Sequence, residues 1–225
     1  SADFMEISWD EALKTLSDNL SELKKTGSTG KLWFFTEPLR GHHSKLVKTF
    51  MPAFGSTNLV EYELIQRRGL AYANQVSMGA SALPHYDIAN TNLVLSFGAD
   101  FSTSWLSPVN LSAGYGEMRQ GSNRETRGRL IQIEPRMSLT GAVADEWVPA
   151  RPGTEGILAL SIAHLMVEKG YYRGADASGW RGLLSRFKPG EVSALADVSA
   201  EKIERIAREF SSASPALAVA GDVVS

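Results

Sequence analysis

The sequence predicts an α/β protein with three layers, α/β/α, built on a mostly parallel, Rossmann-like sheet. Two observations carry this. Apolar runs without alternation, at residues 32–35, 93–97 and 130–133, read as strands buried on both faces. Between them lie longer segments with apolar residues at helical spacing, so strand and helix alternate as parallel βαβ units require.

Ser8-Trp9-Asp10-Glu11 has the form of a capping box, in which Ser8 accepts from the backbone N–H three residues on and Glu11 reaches back. Leu13, Leu16, Leu20 and Leu23 follow on one face, and Gly27 stops the run, giving a helix over residues 8–25. Leu32-Trp33-Phe34-Phe35, between Gly30 and Pro38, reads as a buried strand, and a helix carrying Leu46, Val47, Phe50 and Met51 ends near Gly55. A strand at 59–62, a helix at 70–78 and a strand at 93–97 broken by Gly98 continue the rhythm. A helical stretch to about Gln120, a polar loop at 121–128 and a strand at 130–133 follow. Amphipathic runs at 154–169 and 199–211 make the last third more helical, before a strand at 216–220 and Gly221. Residues 1–150 thus read as an α/β nucleotide-binding-like core and 151–225 as a helical continuation ending in a further strand. No helix follows the last strand and no strand precedes the first helix, so a fragment of a larger subunit is expected.

With 225 residues, 43% hydrophobic and 21% charged, the chain can bury a sizeable core, which excludes disorder and collagen-like repeats. Lys and Arg number 23 against 25 Asp and Glu, a net charge of −2 without blocks of like charge, so nothing calls for nucleic acid. No stretch approaches the roughly 20 apolar residues of a membrane helix, and no direct membrane insertion is expected. The opening Ser-Ala-Asp-Phe is neither a Met start nor an export signal, so a targeting peptide is absent or already removed. The absence of cysteine excludes disulfides, a thiolate nucleophile, Cys-ligated zinc and a self-held iron–sulfur cluster.

Ligands of open parallel sheets bind beyond the carboxyl ends of the strands. Three such ends carry chemistry: Gly98-Ala99-Asp100, where glycine lets backbone approach a ligand and exposes amides; Glu134-Pro135-Arg136-Met137-Ser138, with a carboxylate at the strand tip; and Arg151-Pro152-Gly153-Thr154-Glu155, which opens a helix with Thr154 as N-cap. A strand-tip carboxylate accepts from ribose hydroxyls or a guanine edge, and helix-terminal amides favour phosphate, so together they read as a nucleotide site. Singly, Glu134 and Arg136 also fit a local ion pair, and Arg-Pro-Gly-Thr a capped turn. Gly114-Tyr115-Gly116 lacks the third glycine of a dinucleotide fingerprint, His42 and His43 point about 100° apart on a helix, and His85 and His164 are isolated. No nucleophile elbow, phosphate-binding P-loop or His-Glu-x-x-His stands in the sequence, and no catalytic residue is assigned.

In order, these motifs resemble a known family. Phe4-Met5-Glu6-Ile7-Ser8-Trp9-Asp10-Glu11-Ala12 is similar to the opening of the second domain in molybdopterin oxidoreductases of the formate dehydrogenase and dimethyl sulfoxide reductase type. Ile133-Glu134-Pro135-Arg136, Ala144-Asp145 and Arg151-Pro152-Gly153-Thr154-Glu155 resemble that family's Ile-Asp-Pro-Arg, Ala-Asp and Arg-Pro-Gly-Thr-Asp signature. The resemblance implies a central-domain fragment of the large subunit of a molybdopterin-dependent oxidoreductase. It would help bind a molybdopterin guanine dinucleotide (bis-MGD) with molybdenum or tungsten, for two-electron redox chemistry in the intact protein. It implies that Glu134 contacts ribose or guanine and that Glu155 faces the base, with Gly98, Asp100, Arg136, Ser138, Arg151, Gly153 and Thr154 around the nucleotide.

The sequence departs from the family pattern in three places. Glutamate stands for both signature aspartates. Gly98-Ala99-Asp100 replaces Gly-Ala-Asn and puts a carboxylate where the resemblance places phosphate. The stretch from Tyr62 to Arg68 offers Glu63 as a metal ligand and no cysteine. Pro84-His85-Tyr86-Asp87 with Ala99-Asp100-Phe101 also resembles the molybdopterin-like domain of alternative complex III, a cofactorless scaffold in a membrane-associated electron-transfer complex; an unrelated nucleotide-binding module is the third reading. The family resemblance implies the remaining domains of the same subunit, iron–sulfur and membrane-anchor subunits as partners, clusters held outside this segment, and a periplasmic location, with cytoplasmic the alternative.

Overall fold

The structure is a computed structural model and describes residues 4–62, 68–120, 125–172, 174 and 177–221. It forms two compact units, 1–66 and 67–225.

The first unit contains α1 (Trp9–Lys25), a 3-10 turn (Thr29–Lys31), β1 (Phe34–Thr36), α2 (Gly41–Phe54) and β2 (Leu59–Glu61). The capping box forms as expected: the Ser8 hydroxyl accepts from Glu11 N–H at 3.2 Å, and Glu11 Oε2 accepts from Ser8 N–H at 3.1 Å. α2 closes on Gly55, whose φ of 99° is left-handed, the conformation glycine adopts at least cost. β1 and β2 pair in parallel, with Phe35 opposite Val60. The strand expected to be buried at 32–35 is instead shorter and displaced, and Trp33 and Phe35 are 64% and 70% exposed. A two-stranded ribbon covers too little area to bury both faces of its strands.

The second unit is built on four parallel strands in the order β5-β4-β3-β6, with β3 Leu93–Phe97, β4 Arg129–Glu134, β5 Glu146–Pro149 and β6 Ala216–Ala220. Helices α3 (Arg68–Met78), α4 (Pro108–Arg119), α5 (Leu139–Val143), α6 (Glu155–Glu168), α7 (Ser178–Leu184), α8 (Pro189–Ala196) and α9 (Ala200–Ser212) complete it. Alternate residues of each strand face opposite ways. Leu95, Phe97, Ile131, Ile133 and Val148 pack with Leu158, Ile162 and Leu165 of α6 and with α8 and α9. Val94, Leu130 and Val219 pack on the other face with Leu111 and Met118 of α4 and with Phe101 and Trp105. Each fully buried Ile or Leu contributes roughly 1.5–3 kcal/mol, so this double-sided core dominates the unit's stability.

The strands and helices expected around 93–97, 130–133, 154–169, 199–211 and 216–220 are all present. Four of the present helices and strands were not expected: α5, five residues long, β5, which carries Glu146 and Pro149, and the short helices α7 and α8. Pro149 is tolerated because β5 is an edge strand of its sheet. Positions 121–124 of the expected polar loop lie outside the described residues.

Polar locks fasten one margin of the sheet. Asp145 accepts from Arg119 and, at 2.8 Å, from Leu130 N–H. Burial opposes ionisation of Asp145, yet these hydrogen bonds and the charges of Arg119 and Arg127 hold its carboxyl below the usual range. At the same β5 margin, from the α9 side, Arg205 bridges Glu146 at 2.5 Å and Glu209 at 2.8 Å, and hydrogen bonds to those two carboxylates raise its pKa.

Candidate nucleotide site at the carboxyl edge

The sequence-predicted site residues after β3, β4 and β5 all come to one edge of the four-stranded sheet, because the strands are parallel and end in register: Phe97 beside Ile133, and Glu134 beside Pro149. They divide between its two faces. Ile133 belongs to the core under α6, so the next residue, Glu134, points the opposite way, toward α5. Glu155 opens α6 on the stripe Glu155, Leu158, Ile162, Leu165 and therefore turns to the α6 face.

On the α5 face, Glu134 is 4% exposed and both its oxygens are engaged: Oε2 accepts from Gln132 Nε2 at 2.8 Å and Oε1 from Ser138 N–H at 2.6 Å. The Ser138 hydroxyl accepts from Gly141 N–H at 3.1 Å, capping α5. Asp100 Oδ1 accepts from the Thr140 hydroxyl at 2.8 Å and from Thr140 N–H at 3.4 Å, and the same hydroxyl accepts from Ser102 N–H at 3.0 Å. Three amides of the β4–α5 turn, those of Ser138, Thr140 and Gly141, thus meet acceptors from the chain itself. The expected ion pair of Glu134 with Arg136 does not form; Arg136 is exposed and in no ion pair among the described residues.

Gly98 has a φ of 65°, and the backbone that approaches it is the chain's own: a Cβ on Gly221 would collide with the Gly98 carbonyl. Its N–H donates to Ile133 O at 2.9 Å. The amide that the sequence offered to a ligand is therefore already used.

Arg151-Pro152-Gly153-Thr154 closes a turn, with Thr154 N–H donating to Arg151 O at 3.1 Å and Gly153 at a φ of 78°, the type II pattern of proline followed by glycine. The Thr154 hydroxyl donates to Arg151 O at 2.6 Å, so Thr154 stands at the N-cap of α6 without capping it by its side chain. Glu155 is fully buried, and neither carboxylate oxygen has a hydrogen-bond donor. Gln132 Oε1 and Trp147 Nε1, side by side in the β4–β5 register, are also buried without partners. Sequence reasoning could assign Glu155 a ligand but could not show that the protein leaves it without one of its own. Glu63, the expected metal ligand, lies outside the described residues. Among the described residues no group of three or more His, Asp or Glu side chains is placed to hold a metal ion.

A parallel sheet with helices on both faces places the second unit in the α/β class. The family model described as molybdopterin oxidoreductase matches residues 1–213, and this chain belongs to that family. It is 27% identical over 220 residues to the menaquinone reductase molybdopterin-binding-like subunit of Nitratidesulfovibrio vulgaris, covering 97% of this chain and 31% of that one. It is 30% identical to the probable dimethyl sulfoxide reductase chain YnfF of Escherichia coli, covering 95% of this chain and 30% of the relative. The fold matches that of acetylene hydratase from Pelobacter acetylenicus with a TM-score of 0.73 at 20% identity, over 99% of this chain and 30% of that one. The chain thus spans about a third of the length of these relatives. No helix among the described residues is long and apolar enough to cross a membrane.

Proposed function

We propose that this chain is part of the large subunit of a molybdopterin-dependent oxidoreductase and holds the guanine end of a molybdopterin guanine dinucleotide at Glu155. The observation that carries the reading is the Glu155 carboxylate, sealed from water with no donor on either oxygen. Burying such a group without hydrogen bonds is costly, and a ligand that brings two adjacent donors removes that cost. The N1–H and N2–H of guanine are such a pair; adenine offers one donor and one acceptor on the same edge. The residues present therefore fit a guanine, which must displace whatever covers the carboxylate to reach it.

Arg136 and Arg151 supply the complementary charge. Each stands two residues beyond the paired Glu134 and Pro149, both are exposed, and neither is in an ion pair among the described residues, which suits them to a phosphate. Ser138, Gly153 and Thr154 shape the turns that carry these groups. When bound, the pterin-held molybdenum or tungsten supplies two-electron redox chemistry. In this reading the chain's own residues bind and orient the nucleotide, while iron–sulfur clusters, membrane-anchor subunits and the rest of the pocket come from elsewhere in the complex. A periplasmic placement rests on the family resemblance alone.

The test is calorimetric titration with GMP and AMP. GMP is expected to bind in preference to AMP, and Glu155→Ala to lose that preference. Equal GMP affinity in wild type and Glu155→Ala overturns the reading.

A further inference from the structure

The carboxyl edge of a parallel sheet is where the phosphates of a nucleotide gather, because loop amides beyond the strand ends supply donors there. In this chain three of the amides after β4 are taken. Glu134 Oε1 holds Ser138 N–H, Asp100 Oδ1 holds Thr140 N–H and its hydroxyl, and the Ser138 hydroxyl holds Gly141 N–H. Two carboxylates from two neighbouring strands therefore converge on one five-residue helix. No arginine, lysine or histidine forms an ion pair with either of them among the described residues. The exposed cations Arg136 and Arg151 stand on the β4–β5 side of the same edge.

We propose that Asp100 and Glu134 are built-in anions that occupy the Thr140 and Ser138 amides of the β4–α5 turn and, by their charge, confine the phosphate end of a nucleotide to the Arg136 and Arg151 side. The inference rests on the nucleotide reading above, but it concerns where phosphate is refused, and Glu155 takes no part in it. It makes Asp100 and Glu134 specificity-determining: the edge offers a donor-seeking carboxylate, Glu155, on one face and a negative wall on the other. A phosphate oxygen brought to the α5 turn finds the Ser138, Thr140 and Gly141 amides occupied and two like charges beside it.

Both residues have isosteres that keep the local hydrogen bonds. Asn at position 100 still accepts from Thr140, and Gln at position 134 still accepts from Ser138 N–H while its amide finds the unpartnered Gln132 Oε1. Titration with inorganic pyrophosphate reads the inference without any base. Removing one charge a few ångströms from the anion is expected to tighten pyrophosphate binding roughly three- to tenfold in Asp100→Asn and in Glu134→Gln. Glu117→Gln removes the same charge at the end of α4 that leads to the amino end of β4, and is expected to change nothing. Unchanged pyrophosphate affinity in both isosteres, or an equal gain in Glu117→Gln, overturns the proposal. Guanosine binding, run in parallel, is expected to be the same in wild type and Glu117→Gln. If guanosine fails to bind the wild type, the base reading at Glu155 falls, and the pyrophosphate series still decides this one.

Discussion

Gly141 and Glu134 stand so close that no side chain fits between them: a Cβ on Gly141 would collide with Glu134 Oε1 and lie 3.3 Å from Trp147 Cδ1. The glutamate, one methylene longer than the aspartate of the family signature, occupies the room this glycine leaves. Its carboxylate can then lie back on Ser138 N–H and Gln132 instead of projecting past the strand.

Gly141→Ala is expected to cost about 1–3 kcal/mol of unfolding free energy in urea, since the neighbours it strikes are buried and hydrogen-bonded. Shortening the partner relieves the clash. The double variant Gly141→Ala with Glu134→Asp should lose less than the sum of the two single variants, and simple additivity would show that the two positions are not in contact.

Gln132 and Ser161 are both fully buried and polar, yet their replacement should have opposite signs. Gln132→Met strips a donor from the buried Glu134 carboxylate and is expected to destabilise by about 1–3 kcal/mol. Ser161 Oγ has no partner inside α6, so Ser161→Ala removes an unsatisfied hydroxyl and adds a better helix former. It is expected to be neutral or to stabilise by up to about 1 kcal/mol. Thermal unfolding of the two variants side by side checks the contrast.

Asp145 makes part of the stability acid-sensitive. Its folded pKa lies below the ordinary value of 3.8, so its contribution is fully present above that value and disappears as pH falls through the lower, folded one. Asp145→Asn should therefore cost on the order of 1 kcal/mol at neutral pH and progressively less below about pH 4. A difference from wild type that persists undiminished at pH 2 would place the effect in packing and not in charge.

Metal and pterin content of the full-length protein tests the cofactor. Molybdenum or tungsten with a fluorescent released pterin is the expected result. Their reproducible absence from a folded, cluster-loaded preparation would instead favour a scaffold that keeps the fold without the cofactor.

The sequence by itself determined the regular part of this protein, and it did so through signals local to each element. Ser8 and Glu11 announce α1 because both halves of a capping box lie within one turn. Leu93–Phe97 and the run through Ile133 announce central strands because a strand buried on both faces reads as a near-continuous apolar run. The ordered motifs through Glu155 announced the family in the same way. Residues 32–35 misled because an apolar run records what can be buried and not whether a second layer arrives to cover it; Trp33 and Phe35 remain exposed.

What only the tertiary structure decided is how the site residues divide. Sequence placed Glu134 and Glu155 together as two carboxylates for one nucleotide. The alternation of β4 and the pitch of α6 turn them to opposite faces of the sheet. Glu134 is satisfied close by, by Gln132 and by the Ser138 amide of a short helix that had no sequence signal, whereas Glu155 is left without a donor by everything packed around it. Hydrogen-bond satisfaction inside a core belongs to the surroundings of a group, and those surroundings come from distant parts of the chain only when it folds.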